Sequence, residues 1–551
     1  MESRREEVMR DDIVAGLMEI VSKLTLNCFI QRVRGTRMIK TFNKIFSIFL
    51  MLSPFVNMTG QNLHSDNGDG TYTNPVIASD FPDPDVILVG DTYYIVNTTM
   101  FVFPGVTVLK SHDLVNWEYC SNAVPRFDFS PCYDLDGCSR YGHGQWATSM
   151  KYHNGKFYLL FLTLDEGGFI CSAEKAEGPW ELKKLPRGFH DPGLFFDDDG
   201  RIYVACGYGK ISMTELDKNF APISNDSLVF TGDIRPGIEG AHVYKLNGYY
   251  YLYCTYGGGD GFQVALRSKN IYGPYEEKVV IRDTTKGINF GIHQGALIQT
   301  QTGEWWTVLF VDRGPFGRFP SLQPVTWVDD WPMVGVNGKA VVTYKKPNVG
   351  KKYPIKDLPT SDEFNEAFLR MQWGWNHNPD PATWSLHERP GYLRLTTGKV
   401  VPSLREARNT LTQRPFVHYD QTLPTIGTTK IEVGHMKDGD RAGLAVFQDP
   451  YAYIAVKQDN GSKQMIMVNN GDIIATVPLN GKIVYLRTIA SNSTRKAIFE
   501  YSYDNKKFTQ LGNELVMRFS LRIFTGNKFC LFNYATHTIG GYVDFDWLRL
   551  L

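Results

Sequence analysis

LNGYYYLYCTY, residues Leu246 to Tyr256, carries the pattern that decides the fold: a polar turn with a glycine, followed by an aromatic strand. Four more stretches repeat it: VGDTYYIV from Val89, HNGKFYLLF from His153, DDDGRIYVA from Asp197 and QTGEWWTVLF from Gln301. The turns recur at intervals of about 45 to 65 residues, close to the spacing at which four-stranded blades repeat. The five repeats therefore predict a five-bladed β-propeller, an all-β fold.

One position in this repeat differs from blade to blade. Seven to ten residues before each turn glycine stand Asp83, Trp146, Asp191, Glu239 and His293. Equivalent positions on successive blades of a propeller lie around one central axis. We therefore expect three carboxyl groups, an indole and an imidazole to gather at one end of the channel, which is the composition of an active site.

The composition of the 551-residue chain sets broad limits on its partners and chemistry. The net charge is zero, so nothing indicates a nucleic acid or an anionic membrane as a partner. The eight cysteines contain no CxxC pair, which argues against a zinc ribbon or a redox motif. Cys206 and Cys254 fall within strand-like runs and are predicted to be buried free thiols. Cys132 and Cys138 flank a polar loop, and the sequence leaves open whether they form a disulfide or are two free thiols.

The N-terminal region has the form of a secretory signal. Residues 40–60 have a basic start, an apolar run of about a dozen residues and small polar residues afterwards. We expect residues 1–60 to be an extension and signal peptide, with the signal at about 38–60 and translation starting at Met38. The mature chain is then secreted or periplasmic and does not insert into a membrane. An amphipathic helix from Ile13 to Ile30 followed by an anchor is the alternative.

The rest of the chain divides into two strand-rich parts. Residues 70–345 have alternating or continuous apolar runs broken by turns, which indicates the propeller. Residues 346–360 are rich in lysine and proline and are predicted to be a linker. Residues 361–551 contain short strands separated by Gly, Asp and Asn, which predicts a C-terminal β-sandwich.

The three carboxylic acids lie in different local surroundings that suit different roles. Asp83 lies in FPDPD, where two prolines fix the backbone, and this suits a base that holds one water. Glu239 lies between glycine-containing turns with apolar neighbours that would raise its pKa, as a general acid needs. Asp191 precedes a proline, and a third carboxylate there would raise the pKa of Glu239 by repulsion.

Four further residues are candidates for substrate binding. Trp146 and Phe103 offer flat faces to the apolar side of a sugar ring, and Arg318 can donate paired hydrogen bonds to vicinal hydroxyls. His293 can bind substrate, cap a strand or lie near a calcium ion. One histidine is a weak metal signature. We therefore expect that no cofactor is required, and a structural Ca²⁺ stays an open alternative. Acid, base, modulator and stacking aromatics together fit glycoside hydrolysis.

Five blocks of the propeller resemble glycoside hydrolase family 43, and they occur in the family's order over the whole propeller. They are NPVIASDFPDPDVILVGDTYYIV, YGHGQWATSMKYHNGKFYLLF, HDPGLFFDDDG, IEGAHVYKLNGYYYL and GIHQGALIQT. The resemblance implies an inverting hydrolase with Asp83 as base, Asp191 as pKa modulator and orienter, and Glu239 as acid. It also implies that residues Trp146, His293 and Arg318 help to form the pocket for the terminal sugar. Inversion predicts about 6.5 to 9.5 Å between the carboxyl groups of the base and the acid.

The C-terminal part is similar to the concanavalin-like jelly roll of the family's β-xylosidases and α-L-arabinofuranosidases. The segments SDEFN, MQWGWNHNP, ERPGYLRL, ARNTLTQR, DGDRAGLAVF and GGYVDFDW carry this similarity. In those relatives the sandwich packs on the propeller and helps to wall off the pocket, which favours exo action. One departure is WATS after Gln145, where many relatives have WAP; it puts in doubt the finer shape of the pocket wall.

These observations predict an exo-acting enzyme whose partner is a pentose-containing plant polysaccharide or oligosaccharide. The expected reaction is release of terminal α-L-arabinofuranose from arabinoxylan, arabinan or xyloglucan side chains, and the alternative is β-xylosidase action on xylo-oligosaccharides. An endo-arabinanase is disfavoured, since the sandwich would block an open groove. A non-catalytic sugar-binding propeller is disfavoured because it would not need three acids.

Overall fold

The computed structural model describes residues 64–283, 291–418 and 423–551. The predicted extension and signal peptide (1–60) lie outside the described residues. Within those ranges the protein is almost entirely β-structure, as predicted, and no helix has the length and apolar composition that a membrane span requires. The helical segments of the described residues are four short 3₁₀ turns, Pro131–Asp134, Gly314–Phe316, Pro381–Thr383 and Leu404–Glu406.

Five antiparallel four-stranded sheets form the propeller, which confirms the predicted fold class. The strands of this part are β1 (Thr71–Thr73), β2 (Asp85–Val89), β3 (Thr92–Val96), β4 (Val102–Phe103), β5 (Gly105–Ser111), β6 (Trp117–Val124), β7 (Gln145–His153), β8 (Lys156–Thr163), β9 (Gly167–Ala173), β10 (Glu181–Lys184), β11 (Gly193–Phe196), β12 (Ile202–Cys206), β13 (Lys210–Leu216), β14 (Ser227–Thr231), β15 (Ile238–Leu246), β16 (Tyr249–Tyr256), β17 (Phe262–Ser268), β18 (Glu276–Ile281), β19 (Ile292–Gln299), β20 (Trp305–Asp312), β21 (Arg318–Val328), β22 (Trp331–Val334) and β23 (Thr343–Lys345).

The blades follow one another in chain order around the axis. Blade I consists of β2, β3, β5 and β6, and blades II to V consist of β7–β10, β11–β14, β15–β18 and β19–β22. The inner strands β2, β7, β11, β15 and β19 lie next to one another in a closed ring. Asn154 and Gly155, and likewise Asn247 and Gly248, have positive φ angles in the hairpins between the first two strands of their blades. Such turns match the twist of the flanking strands, so the sequence repeat marks these hairpins.

The C-terminal part is a sandwich of two large sheets, also as predicted. Its strands are β24 (Trp373–Asn376), β25 (Trp384–Ser385), β26 (Leu393–Thr396), β27 (Thr410–Gln413), β28 (Thr425–His435), β29 (Asp440–Phe447), β30 (Ala452–Asp459), β31 (Ser462–Asn469), β32 (Asp472–Pro478), β33 (Ile483–Ser491), β34 (Lys496–Ser502), β35 (Thr509–Gln510), β36 (Leu515–Val516), β37 (Lys528–Ala535) and β38 (Tyr542–Leu550). One sheet has the order β32-β31-β30-β29-β37-β27-β24-β4 and the other β25-β26-β38-β28-β33-β34-β35, with β36 on β34. Apolar side chains from both sheets form the core between them.

Strand β4 belongs to the propeller in sequence but pairs with the sandwich. Phe103 lies opposite Trp375 in the ladder between β4 and β24. Its side chain is 1% exposed and packs on the rings of Phe127 and Tyr133, 5.8 and 5.6 Å away between centroids. The expectation that Phe103 stacks on a sugar is therefore corrected: its ring is buried in a core cluster beside the junction of the two parts.

The segment 346–360 contains no strand, yet it is attached to the propeller. The ammonium of Lys346 is 2.8 Å from Asp113 Oδ2 and also pairs with Asp66. Val349 and Leu358 are buried against the core of blade I and blade V residues. These contacts hold the segment along the propeller surface, where a lysine- and proline-rich composition by itself suggests a free spacer.

The described cysteines form one disulfide, and the others are buried free thiols. Cys132 and Cys138 form a disulfide, one of the two alternatives that the sequence leaves open. Cys206 and Cys254 are buried free thiols, as predicted. Burial raises the pKa of Cys206 to about 11, so this thiol is protonated and unreactive at neutral pH.

Candidate active site

The predicted register places its residues at the start of the inner strands. Asp83 lies two residues before β2 and Asp191 two residues before β11, while Trp146, Glu239 and His293 each occupy the second position of β7, β15 and β19. The two aspartates have φ angles of 54° and 44°, in the left-handed region, and each is followed by proline. Non-glycine residues held in this region are strained and cluster at functional sites.

Asp83 is buried and held by two donors. Arg318 Nη1 donates to Asp83 Oδ1 at 2.8 Å, and Thr98 Oγ1 donates to Asp83 Oδ2 at 2.6 Å. Burial raises the pKa of Asp83, while the Arg318 charge and the Thr98 hydrogen bond oppose that rise. Because both donors favour the ionised carboxylate, they suit a base with a fixed orientation.

Asp191 and Glu239 form a closely spaced carboxyl pair. Their nearest carboxylate oxygens lie within 4.8 Å of each other. Burial and then the charge of Glu239 raise the pKa of Asp191 to about 7. Gln294 Nε2 donates to Asp191 Oδ2 at 3.2 Å and fixes its orientation. Two carboxyl groups this close repel each other when both are ionised, and this repulsion contributes to the raised pKa of Asp191.

His190 is a residue of the site that the sequence-based prediction missed. Its Nε2 lies 3.4 Å from Glu239 Oε2 and 3.9 Å from Asp191 Oδ1. Burial alone lowers the pKa of His190, but the hydrogen bond to Glu239 and the charges of both acids outweigh burial and raise it. Its position directly before Asp191 was the available signal.

The space beside these residues is a pocket of about 730 Å³ between the two parts of the chain. The propeller contributes Glu239, His293, Arg318 and other residues to its wall. The sandwich contributes side chains from the loop before β37, namely Met517, Arg518, Phe519, Leu521 and Phe524. A pocket closed by a second domain accepts the end of a sugar chain more readily than its middle.

Aromatic rings and buried polar atoms without partners lie beside this pocket. The rings of Trp146 and Phe524 stack at 5.0 Å between centroids, and the Arg318 guanidinium lies 5.2 Å from the Phe524 ring centroid. Trp146 Nε1, Arg318 Nη2 and both ring nitrogens of His293 are buried without a hydrogen-bond partner among the described residues. Buried polar groups of this kind call for a ligand or water, and sugar hydroxyls can supply the missing partners.

The surroundings of His293 do not fit direct coordination of calcium. Calcium prefers six to eight oxygen ligands. His293 Nε2 lies 3.6 Å from Asp312 Oδ2, and its ring packs 4.5 Å from the ring of Phe310. The two side chains offer one nitrogen and one carboxylate, so we assign no step to a calcium ion.

Comparison with known proteins agrees with this geometry. The model of Glycosyl hydrolases family 43 matches residues 72–332, and that of the Beta xylosidase C-terminal Concanavalin A-like domain matches residues 361–550. A β-xylosidase of Formosa agariphila is 34% identical over 88% of this chain and 90% of its own length. A non-reducing end α-L-arabinofuranosidase of Bacteroides ovatus is 32% identical over 59% of this chain and 65% of its own.

Similarity to a solved structure agrees with these sequence matches. A bifunctional GH43-CE protein of Bacteroides eggerthii superposes with a TM-score of 0.80 and 38% identity over 87% of this chain. The match spans 63% of that protein. From the ring of acids, the sandwich-closed pocket and these matches together, we conclude that the chain belongs to family 43 of the glycosyl hydrolases and is a glycosidase.

Proposed function

We propose that this glycosidase is an exo-acting β-xylosidase that releases xylose from the non-reducing end of xylo-oligosaccharides by inversion. The observation that carries exo action is the pocket itself, since the sandwich loop around Phe524 closes it on one side. The match with a β-xylosidase over nearly the full length of both chains supports the xyloside.

In the proposed reaction Asp83 acts as the base. It removes a proton from a water on one face of the anomeric carbon while Arg318 and Thr98 hold its carboxylate in place. Glu239 protonates the departing oxygen on the other face. Bond making and bond breaking on opposite faces invert the anomeric configuration.

Asp191 and His190 act on the acid rather than on the sugar. Asp191 lies within 4.8 Å of Glu239 and accepts a hydrogen bond from Gln294, which suits it to orient the acid. His190, with 29% of its side chain exposed against 18% for Glu239, connects the pair to solvent. The position of His190 suits it to return a proton to Glu239 after each turnover.

Release of α-L-arabinofuranose, the first expectation from the sequence, is the second candidate. It is supported by the 32% identity to an arabinofuranosidase, which extends over a smaller share of both chains. Both pentoses present hydroxyls that the donors of Trp146, His293 and Arg318 can bind.

The decisive experiment measures hydrolysis of p-nitrophenyl β-D-xyloside and α-L-arabinofuranoside side by side, with Asp83→Asn as the control. A higher kcat/KM on the xyloside that Asp83→Asn abolishes is the expected outcome. Proton NMR of the xylose first released from p-nitrophenyl β-D-xyloside should show the α anomer. A higher kcat/KM on the arabinofuranoside would contradict the proposed xyloside substrate. Release of β-xylose as the first anomer would contradict the proposed inverting mechanism.

A further inference from the structure

The sandwich has a second groove that shares part of its wall with the active-site pocket. It holds about 680 Å³, and Arg518 and Phe519 line both the groove and the pocket. The groove is formed by the turn after β29, the turn after β31 and strand β36, at one end of the sandwich. Its volume lies in the range of small-molecule binding sites.

Aromatic rings connect the two spaces. Trp146 stacks on Phe524, and Phe524 meets Phe519 edge to face at 6.0 Å between centroids. Phe519 is half-buried at the border between pocket and groove. Trp146 and Phe524 cover each other's faces, so Phe519 is the ring placed to contact a sugar chain that leaves the pocket.

The polar side chains of the groove are held in place by one another. Asp449 pairs with Arg405, and Arg405 Nη2 lies 3.5 Å from Asn470 Oδ1. Asn469 Nδ2 donates to the Glu514 carbonyl at 3.2 Å. Amide and carboxylate groups fixed in this way offer both donors and acceptors, which is what neutral hydroxyl-rich ligands need.

We propose that this groove binds the leaving-group part of a longer xylo-oligosaccharide, beyond the sugar next to the cleaved bond. The inference rests on the proposed function for the identity of the sugar. A chain whose terminal xylose occupies the pocket leaves past Phe519 and runs onto the groove. The enzyme then prefers longer chains although it removes only one sugar at a time.

Two asparagines provide a matched pair of variants. Asn470 lines the groove, whereas Asn460 lies at the other end of β31, roughly 25 Å away for an eight-residue strand. Both stand in Asn-Gly hairpin turns, with φ angles of 52° and 50°. Glycine adopts this conformation freely, so Asn470→Gly and Asn460→Gly each remove one side chain with equal backbone consequences. Val516→Trp, at a half-exposed position in the groove, adds bulk and is a second, independent variant.

The readout is the ratio of kcat/KM for xylotetraose to kcat/KM for xylobiose, which is too short to reach the groove. We expect a ratio above one in the natural protein, a fall of about fivefold to tenfold in Asn470→Gly and Val516→Trp, and the natural ratio in Asn460→Gly. An unchanged ratio in both groove variants, or an equal fall in Asn460→Gly, would overturn the inference.

Failure of the proposed function gives a different result. If neither xylobiose nor p-nitrophenyl β-D-xyloside is cleaved, the β-xylosidase proposal fails and the groove is tested by calorimetric titration of Glu239→Gln with xylotetraose. Binding that is lost in the double variant with Asn470→Gly then supports the groove, and no binding overturns it.

Discussion

Asp80 connects the catalytic end of the propeller to the sandwich, and its replacement by asparagine should weaken both stability and activity. The carboxylate is 2% exposed. Its Oδ1 accepts the Arg318 backbone N–H at 2.9 Å, its Oδ2 accepts the Gly526 N–H at 2.8 Å, and Lys528 Nζ lies 3.7 Å from Oδ2. Arg318 in turn holds Asp83, so the base depends on this anchor.

The magnitude follows from what Asp80→Asn removes. An amide has one acceptor oxygen, so one of the two backbone N–H groups loses its partner, which costs about 1–3 kcal/mol. Lys528 also loses its counter-charge, and removing one partner of a buried pair costs about 3–5 kcal/mol at most. Burial already lowers the pKa of Lys528 to about 8, so the amine releases its proton and limits this loss. We expect a decrease of about 3 kcal/mol in the free energy of unfolding at pH 8.

The assay compares urea unfolding and kcat/KM on the xyloside for Asp80→Asn, Lys528→Met and the double variant. Displacement of Arg318 should lower kcat/KM by about 10- to 100-fold in Asp80→Asn. The double variant should be at least about 1 kcal/mol more stable than the sum of the single effects predicts, because it leaves no unpaired ammonium. Normal kcat/KM in a destabilised Asp80→Asn would refute the coupling to the base, and strict additivity would refute the ion pair.

Three further predictions concern the acids and the disulfide. The pKa of Asp191 is raised to about 7, so the folded state binds its proton more tightly than the unfolded chain and loses stability as the pH rises from about 4 to 7. Asp191→Asn should therefore stabilise the protein at pH 7.5 by on the order of 2 kcal/mol, and by less at pH 5, while activity is lost. Thermal unfolding of the variant and the natural protein at both pH values checks this. A variant that is less stable than the natural protein at pH 7.5 would contradict it. His190→Gln removes a positive charge that lowers the pKa of Asp191, so the alkaline limb of the kcat/KM profile should move to higher pH with about tenfold lower activity, whereas a purely structural role would leave the limb in place. Replacing Cys132 and Cys138 together with serine should lower the free energy of unfolding by about 2 kcal/mol, as dithiothreitol should in the natural protein, and equal urea midpoints with and without the disulfide would contradict this.

The sequence determined the blades and the order of the acids because these features are local. A turn glycine and an aromatic strand specify one hairpin, and the register counted back from Gly248 places Glu239 at the start of its inner strand. Closure of five blades then brings Asp191 next to Glu239. No step in this inference needs a contact between distant parts of the chain beyond the closure itself.

The tertiary structure decided how the two parts of the chain meet. Phe103 is a local aromatic candidate for sugar stacking, yet β4 pairs with β24, more than 250 residues away in sequence, and its ring is buried in a core cluster beside that junction. Phe524, which stacks on Trp146, comes from a loop of the sandwich with no sequence pattern of a binding site. Such contacts depend on packing between two cores, and neither turn chemistry nor the alternation along a strand encodes which surfaces meet.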